Sequence, residues 1–177
     1  YTLLVASPAV AINAALYKNL PYDTLRDFAA ISIFSESPNV LVVNSSSPAK
    51  SMSELIALAR AKPGVLNYSS AGNGTTQHLA GELLKLRTGT NIVHVPYKGS
   101  APSLTALIAG DVDLSFANVP AILQHVKSGR LRPLASTGTR RSELMPDVPT
   151  MREAGLTGVE MTVWYGVLAP AATPRDI

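Results

Sequence analysis

Short apolar runs alternate with amphipathic stretches of about ten residues along this chain, and Gly or Pro marks nearly every junction. Residues 1–6 read as a buried strand ended by Ser7-Pro8, followed by a short helical turn over 9–16. Residues 31–44 hold two apolar runs on either side of Ser35, Glu36, Ser37 and Pro38. A proline cannot donate to a ladder, so a long strand should bend or switch there. Over 47–62 the pattern predicts the clearest helix. Ser51 and Glu54 have capping-box spacing, Met52, Leu55, Ile56 and Ala59 make the apolar stripe, and Pro63-Gly64 closes it. A strand over 65–70 leads through a glycine-punctuated loop into a helix starting near Thr75, where Leu79, Leu83 and Leu86 have the spacing of one buried face. Further strands are expected at 91–95, 112–117, 131–137 and 159–168. Helices are expected at 100–109, with Leu104, Leu107 and Ile108 buried, and at 120–128, with a short one at 150–154.

That alternation argues for an α/β fold, a mainly parallel sheet flanked by helices. Ligands of such sheets sit beyond the carboxyl ends of the strands. Three loops qualify, 70–75, 96–100 and 118–120, and the topology puts them on one edge.

The first of these loops carries the candidate chemistry. Gly72 and Gly74 supply backbone that adopts positive φ, and Ser70, Asn73, Thr75 and Thr76 add short side chains that cap a helix or donate to a ligand. A strand entering a helix through such a loop presents unpaired N–H groups, a receptor for a carboxylate or similar anion. A strand-to-helix turn with no ligand fits the same residues.

Composition narrows the function without naming it. The chain has 177 residues, 46% of them hydrophobic and 15% charged, enough apolar material for a core. The net charge of +3 is no nucleic-acid footprint, and there are no cysteines for thiol chemistry or cysteine zinc sites. No apolar run approaches the roughly 18 residues that span a bilayer. The first residues resemble mid-domain sequence, and Thr173-Pro174 would start another helix, so the expectation is a piece of a longer protein.

His78, His94 and His125 have no metal-ligand spacing, no nucleophile elbow or phosphate loop is present, and no cofactor is expected. His94 and His125 read as structural, and His78 as packing or a structural hydrogen bond. Asp111 and Asp113 read as a solvated turn. An alternative from another class is a small hydrolase-like enzyme using Ser70 or His78, although no base or orienting carboxylate stands near Ser70 in sequence.

Several motifs in order, YSSAGNGTTQHLAGELL, HVPYKGSAPSLTALIAGDVDLSFANVPAILQHVKSGRLRPLAST, LMPDVPTMREAGL and WYGVLAPAATP, closely resemble the substrate-binding proteins of tripartite tricarboxylate transporters, the Bordetella uptake gene family. The resemblance spans essentially the whole chain. It implies a type II periplasmic-binding-protein fold and a periplasmic protein that captures small carboxylates for integral membrane subunits. It also implies a division into residues 1–30 (partial first lobe), 31–160 (second, ligand-binding lobe) and 161–177 (return strand and partial first lobe). By resemblance the ligand grip is Ser70, Ala71, Gly72, Asn73, Gly74, Thr75 and Thr76, acting mostly through backbone N–H groups, with Asn118 on the same lobe and Ser7 and Asn13 on the first. No catalytic or metal-binding residue is implied. A remaining alternative is a truncated assembly domain that dimerises through its first-lobe remnant.

Overall fold

A computed structural model describes residues 2–174. The expected strand start at Tyr1 and the chain end at 175–177 lie outside the described residues. The chain divides into two compact units, one made of the segments before Pro38 and after Thr162, the other of Pro38–Thr162.

In the smaller unit, β1 (Leu4–Ala6) pairs antiparallel with β7 (Thr162–Pro170), Leu4 opposite Leu168. Between them in sequence come α1 (Ala9–Leu16) and the first half of β2 (Phe28–Asn44). The Asp23 carboxylate accepts the N–H groups of Leu25 and Arg26 and shapes the turn before β2. Leu4, Val5, Ile31 and Phe34 are exposed, and α1 buries no residue.

β2 does not break at Pro38. It runs seventeen residues as one strand, and the unit boundary falls at Pro38 within it. Of the two expectations the switch is the one seen: the chain changes unit at Pro38 along a continuous strand.

The larger unit contains α2 (Met52–Ala61), β3 (Asn67–Ser70), α3 (Thr76–Thr88), β4 (Val93–Pro96), α4 (Ser100–Ala109), β5 (Leu114–Asn118), α5 (Val119–Lys127) and β6 (Leu131–Ser136). β3 pairs parallel with β4 and β5, while β2 lies between β5 and β6 and is antiparallel to both. So β3, β4, β5 and β6 share one direction, as βαβ alternation requires, and the returning β2 makes the sheet mixed rather than mainly parallel in its pairing.

Both faces of this sheet are covered. Leu41 and Val43 of β2 join Leu55, Tyr68, Leu84, Leu114 and Phe116 in one apolar cluster. Val40 and Val42 point the other way and join Leu107, Val119, Ile122 and Leu131. The run VLVV of β2 is continuous rather than alternating because both of its faces are buried.

α3 departs from the expected face. It buries Thr76, Gln77, Ala80, Gly81, Leu84 and Thr88, whereas Leu79 and Leu83 are half-buried and Leu86 is 74% exposed. The reason is Gly81, where a Cβ would lie 2.2 Å from the Tyr68 ring. The ring fills the space under the helix, so the small-residue face of α3 turns toward the sheet. In α2 and α4 likewise, Ile56, Leu104 and Ile108 are only partly buried. The expected helix at 150–154 is a single turn, capped by Thr150 and ended at Gly155. Asp113 is no solvated turn residue: its carboxylate accepts the N–H of Asn67 at 2.8 Å and ties β5 to β3.

Candidate functional site

The shared direction of β3, β4, β5 and β6 brings their carboxyl ends, at Ser70, Pro96, Asn118 and Ser136, to one edge of the larger unit. Ser70 stands opposite Pro96, Asn39 opposite Asn118, and Val40 opposite Ser136. The predicted loops meet there. The loop before α4 lies along the loop before α3, with Tyr97 N–H donating to Ser70 O and Gly99 N–H to Ala71 O. Gln77 reaches back from α3: its Oε1 accepts the Ala71 N–H at 2.7 Å and its Nε2 donates to Ser100 Oγ.

The loop from Ser70 to α3 is held from within. Thr75 is the N-cap, its Oγ1 accepting from His78 N–H and donating to Gly72 O at 2.7 Å. Ser70 Oγ accepts the Gly72 N–H, and His78 Nδ1 accepts the Gly74 N–H. Gly72 has φ +127° and Gly74 φ +78°, and a Cβ on Gly72 would press on Tyr97 O. Here the glycines are required.

Once these bonds are made, no acceptor among the described residues takes the N–H of Asn73, Thr76 or Gln77. Those of Thr76 and Gln77 are the first donors of α3, aligned with the positive end of its dipole. Asn39 lies beneath, fully buried, its Nδ2 donating to Thr76 Oγ1 while its Oδ1 has no partner among the described residues. The edge thus offers N–H groups without an acceptor, and the loop carries no acidic side chain.

Behind the loop three rings stack. Tyr68 lies on His94 with centroids 4.7 Å apart, and His94 lies on His78 at 4.4 Å. His94 Nε2 is 2.7 Å from Ser70 Oγ. Burial first, and then the neighbouring charge of His78, pushes His94 down to about 4, so it is neutral at ordinary pH. Burial and Glu82 push the Tyr68 phenol well above its usual value. Burial alone would raise Glu82, but hydrogen bonds from Lys85 and Tyr68 outweigh it and hold the carboxyl lowered.

The predicted residues Ser70, Ala71, Gly72, Asn73, Gly74, Thr75 and Thr76 are thus contiguous at this edge, with Asn118 ending the neighbouring β5. Ser7 and Asn13 belong to the smaller unit, where Ser7 O accepts from Val10 N–H and Asn13 O from Tyr17 N–H. Sequence reasoning missed Gln77 and Asn39, and it separated His94 from Ser70. Among the described residues no three His, Asp or Glu side chains gather as a metal site, and no helix is long and apolar enough to cross a membrane.

The Ser70–His94 contact has the reach of a nucleophile and its base. Among the described residues, however, no carboxylate orients the other ring nitrogen of His94. The relatives point the same way. The chain is 39% identical over 179 residues to protein BugT of Bordetella pertussis, covering 100% of this chain and 55% of BugT. Its structure is similar to that of R. palustris Rpa4515 with adipate (TM-score 0.94, 39% identity, 99% of this chain and 59% of that one). It is also similar to MatC (Rpa3494) from Rhodopseudomonas palustris with bound malate (TM-score 0.92, 29% identity, 98% of this chain and 60% of that one). The chain therefore spans little more than half the length of the curated relatives it matches. Its fold is that of the type II periplasmic binding proteins, of which it covers part. These relatives are solute-binding transport proteins rather than enzymes, and the hydrolase alternative falls with that. All of residues 1–177 match the tripartite tricarboxylate transporter family receptor, and the chain belongs to that family.

Proposed function

We propose that this chain is the gripping part of an extracytoplasmic, periplasmic solute-binding protein that captures a small carboxylate and delivers it to integral membrane subunits. The observation that carries the reading is the set of unspent N–H groups of Asn73, Thr76 and Gln77 at the start of α3. Neutral donors suit a carrier, which must release what it holds, better than an arginine clamp would. Adipate and malate in the related structures are the same chemical class.

In this reading the two units are the lobes of the receptor, joined through β2 and β7. Ser7 and Asn13 are proposed as ligand-binding positions of the smaller lobe, and Asn118 of the larger. A homodimer through the exposed apolar residues Leu4, Val5, Ile31 and Phe34 is a further proposal, which equilibrium sedimentation reads directly.

The loop assignment is tested with Gly72→Val and Gly74→Val. A β-branched residue at positive φ costs about 1–2 kcal/mol locally, which re-aims the donors without removing a core contact. Carboxylate affinity should fall about tenfold or more with the far-UV dichroism unchanged. Unchanged affinity in both variants would remove the loop from the site.

A further inference from the structure

Two histidines hold the loop at different points. His94 reaches the strand end through Ser70 Oγ, which in turn holds the Gly72 N–H at 3.1 Å. His78 holds the Gly74 N–H at 3.2 Å through Nδ1. Because the two rings are stacked, they form one platform resting on Tyr68. The platform turns the N–H groups of Gly72 and Gly74 inward and leaves that of Asn73 between them, with those of Thr76 and Gln77, for a ligand.

We infer that His78 is a positioning residue of the carboxylate grip, acting through the Gly74 N–H that its unprotonated Nδ1 accepts, so that the grip weakens when that nitrogen takes a proton. The inference rests on the carboxylate reading of the loop. A protonated Nδ1 is a donor facing a donor, and the Gly74 bond cannot survive it. The titratable groups facing His78 are His94 from β4, Tyr68 from β3, and Glu82 and Lys85 from α3 itself; β5, also packed on α3, has none. Burial holds His94 down to about 4, so it adds no charge beside His78 until the pH falls that far. A purely electrostatic role would have the opposite sign, since an imidazolium beside a carboxylate site would tighten binding on acidification.

The test compares the wild type, His78→Asn and His78→Ala in the full protein. Asn places an acceptor oxygen near the Nδ1 position and does not titrate. Affinity for a panel of aliphatic carboxylates, adipate and malate included, is measured at about pH 8 and about pH 6. The Gly74 amide is followed by NMR over the same range without ligand. His78→Asn should bind like the wild type at the higher pH and weaken less on acidification; the same ligand serves both proteins, so its own protonation cancels. His78→Ala should bind about tenfold more weakly than the wild type at about pH 8, and the gap should narrow at about pH 6 as acid takes the same bond from the wild type. The Gly74 amide should move with pH in the wild type and stay still in His78→Asn. Parallel pH profiles in wild type and His78→Asn, tighter binding at the lower pH, or a Gly74 amide that ignores pH would each overturn the positioning role. If no carboxylate binds any of the three proteins, the carboxylate reading fails, and with it the grip that His78 is said to position.

Discussion

At the scale of single residues, the site is made by side chains that take up backbone donors rather than by charges. Thr75, Gln77, His78 and Ser70 each hold one N–H of the loop or of the first turn of α3, and what they leave over is the recognition surface proposed above. His94 is the residue whose titration should be visible in stability. Its folded pKa, about 4, is below the roughly 6.5 of an unfolded imidazole, so between these values the unfolded chain binds the proton more readily. The stabilisation is complete above about 6.5 and is lost as the pH falls toward 4. The melting temperature should therefore drop across that window more steeply in the wild type than in His94→Gln, which keeps a polar atom near Ser70 Oγ. Equal slopes would mean that His94 does not titrate there. Gly72, Gly74 and Thr75 were legible in the sequence because turn and cap chemistry has few residue types to choose from. Gln77, Asn39 and His94 were not: their partners are other segments of chain, such as Ser70 twenty-four positions before His94, and no local pattern encodes such a meeting.

At the scale of elements, local signals succeeded where the cause is local. The α2 start carries the Ser51 half of the capping box as read, Ser51 Oγ accepting the Glu54 N–H, while the Glu54 carboxylate reaches one residue past the N-cap to the Lys50 N–H. The α3 face failed because its cause lies on β3. Leucines at 79, 83 and 86 give a fair stripe, yet the Tyr68 ring selects the face where glycine permits the closest approach. A Gly81→Ala change weighs the two effects against each other. Helix propensity favours alanine by about 1 kcal/mol, while forcing a methyl into a packed contact costs about 1–3 kcal/mol. With a Cβ 2.2 Å from a ring that is itself stacked on His94, the clash should win. Denaturant unfolding should show Gly81→Ala to be less stable by about 1 kcal/mol or more, and a stabilised variant would contradict this packing.

At the scale of the whole molecule, the larger unit is complete as a packed body. Both apolar clusters come from it, one on each face of the sheet, whereas the smaller unit exposes much of its apolar surface. Strand and helix alternation was enough to predict the α/β class and the edge where the loops gather. It was not enough to predict that β2, arriving from the other unit, would lie antiparallel between β5 and β6, since pairing order follows from the path of the chain rather than from any single segment. In the proposed reading, the donors of α3 are set by a hydrogen-bonded sheet edge, which suits a selective but reversible grip. The most direct test is an amide NMR titration of the full protein with aliphatic carboxylates, beginning with adipate and malate. The proposed grip requires that on saturation the largest shifts fall on the N–H groups of Asn73, Thr76 and Gln77. Saturable binding that leaves those three amides unmoved would contradict it.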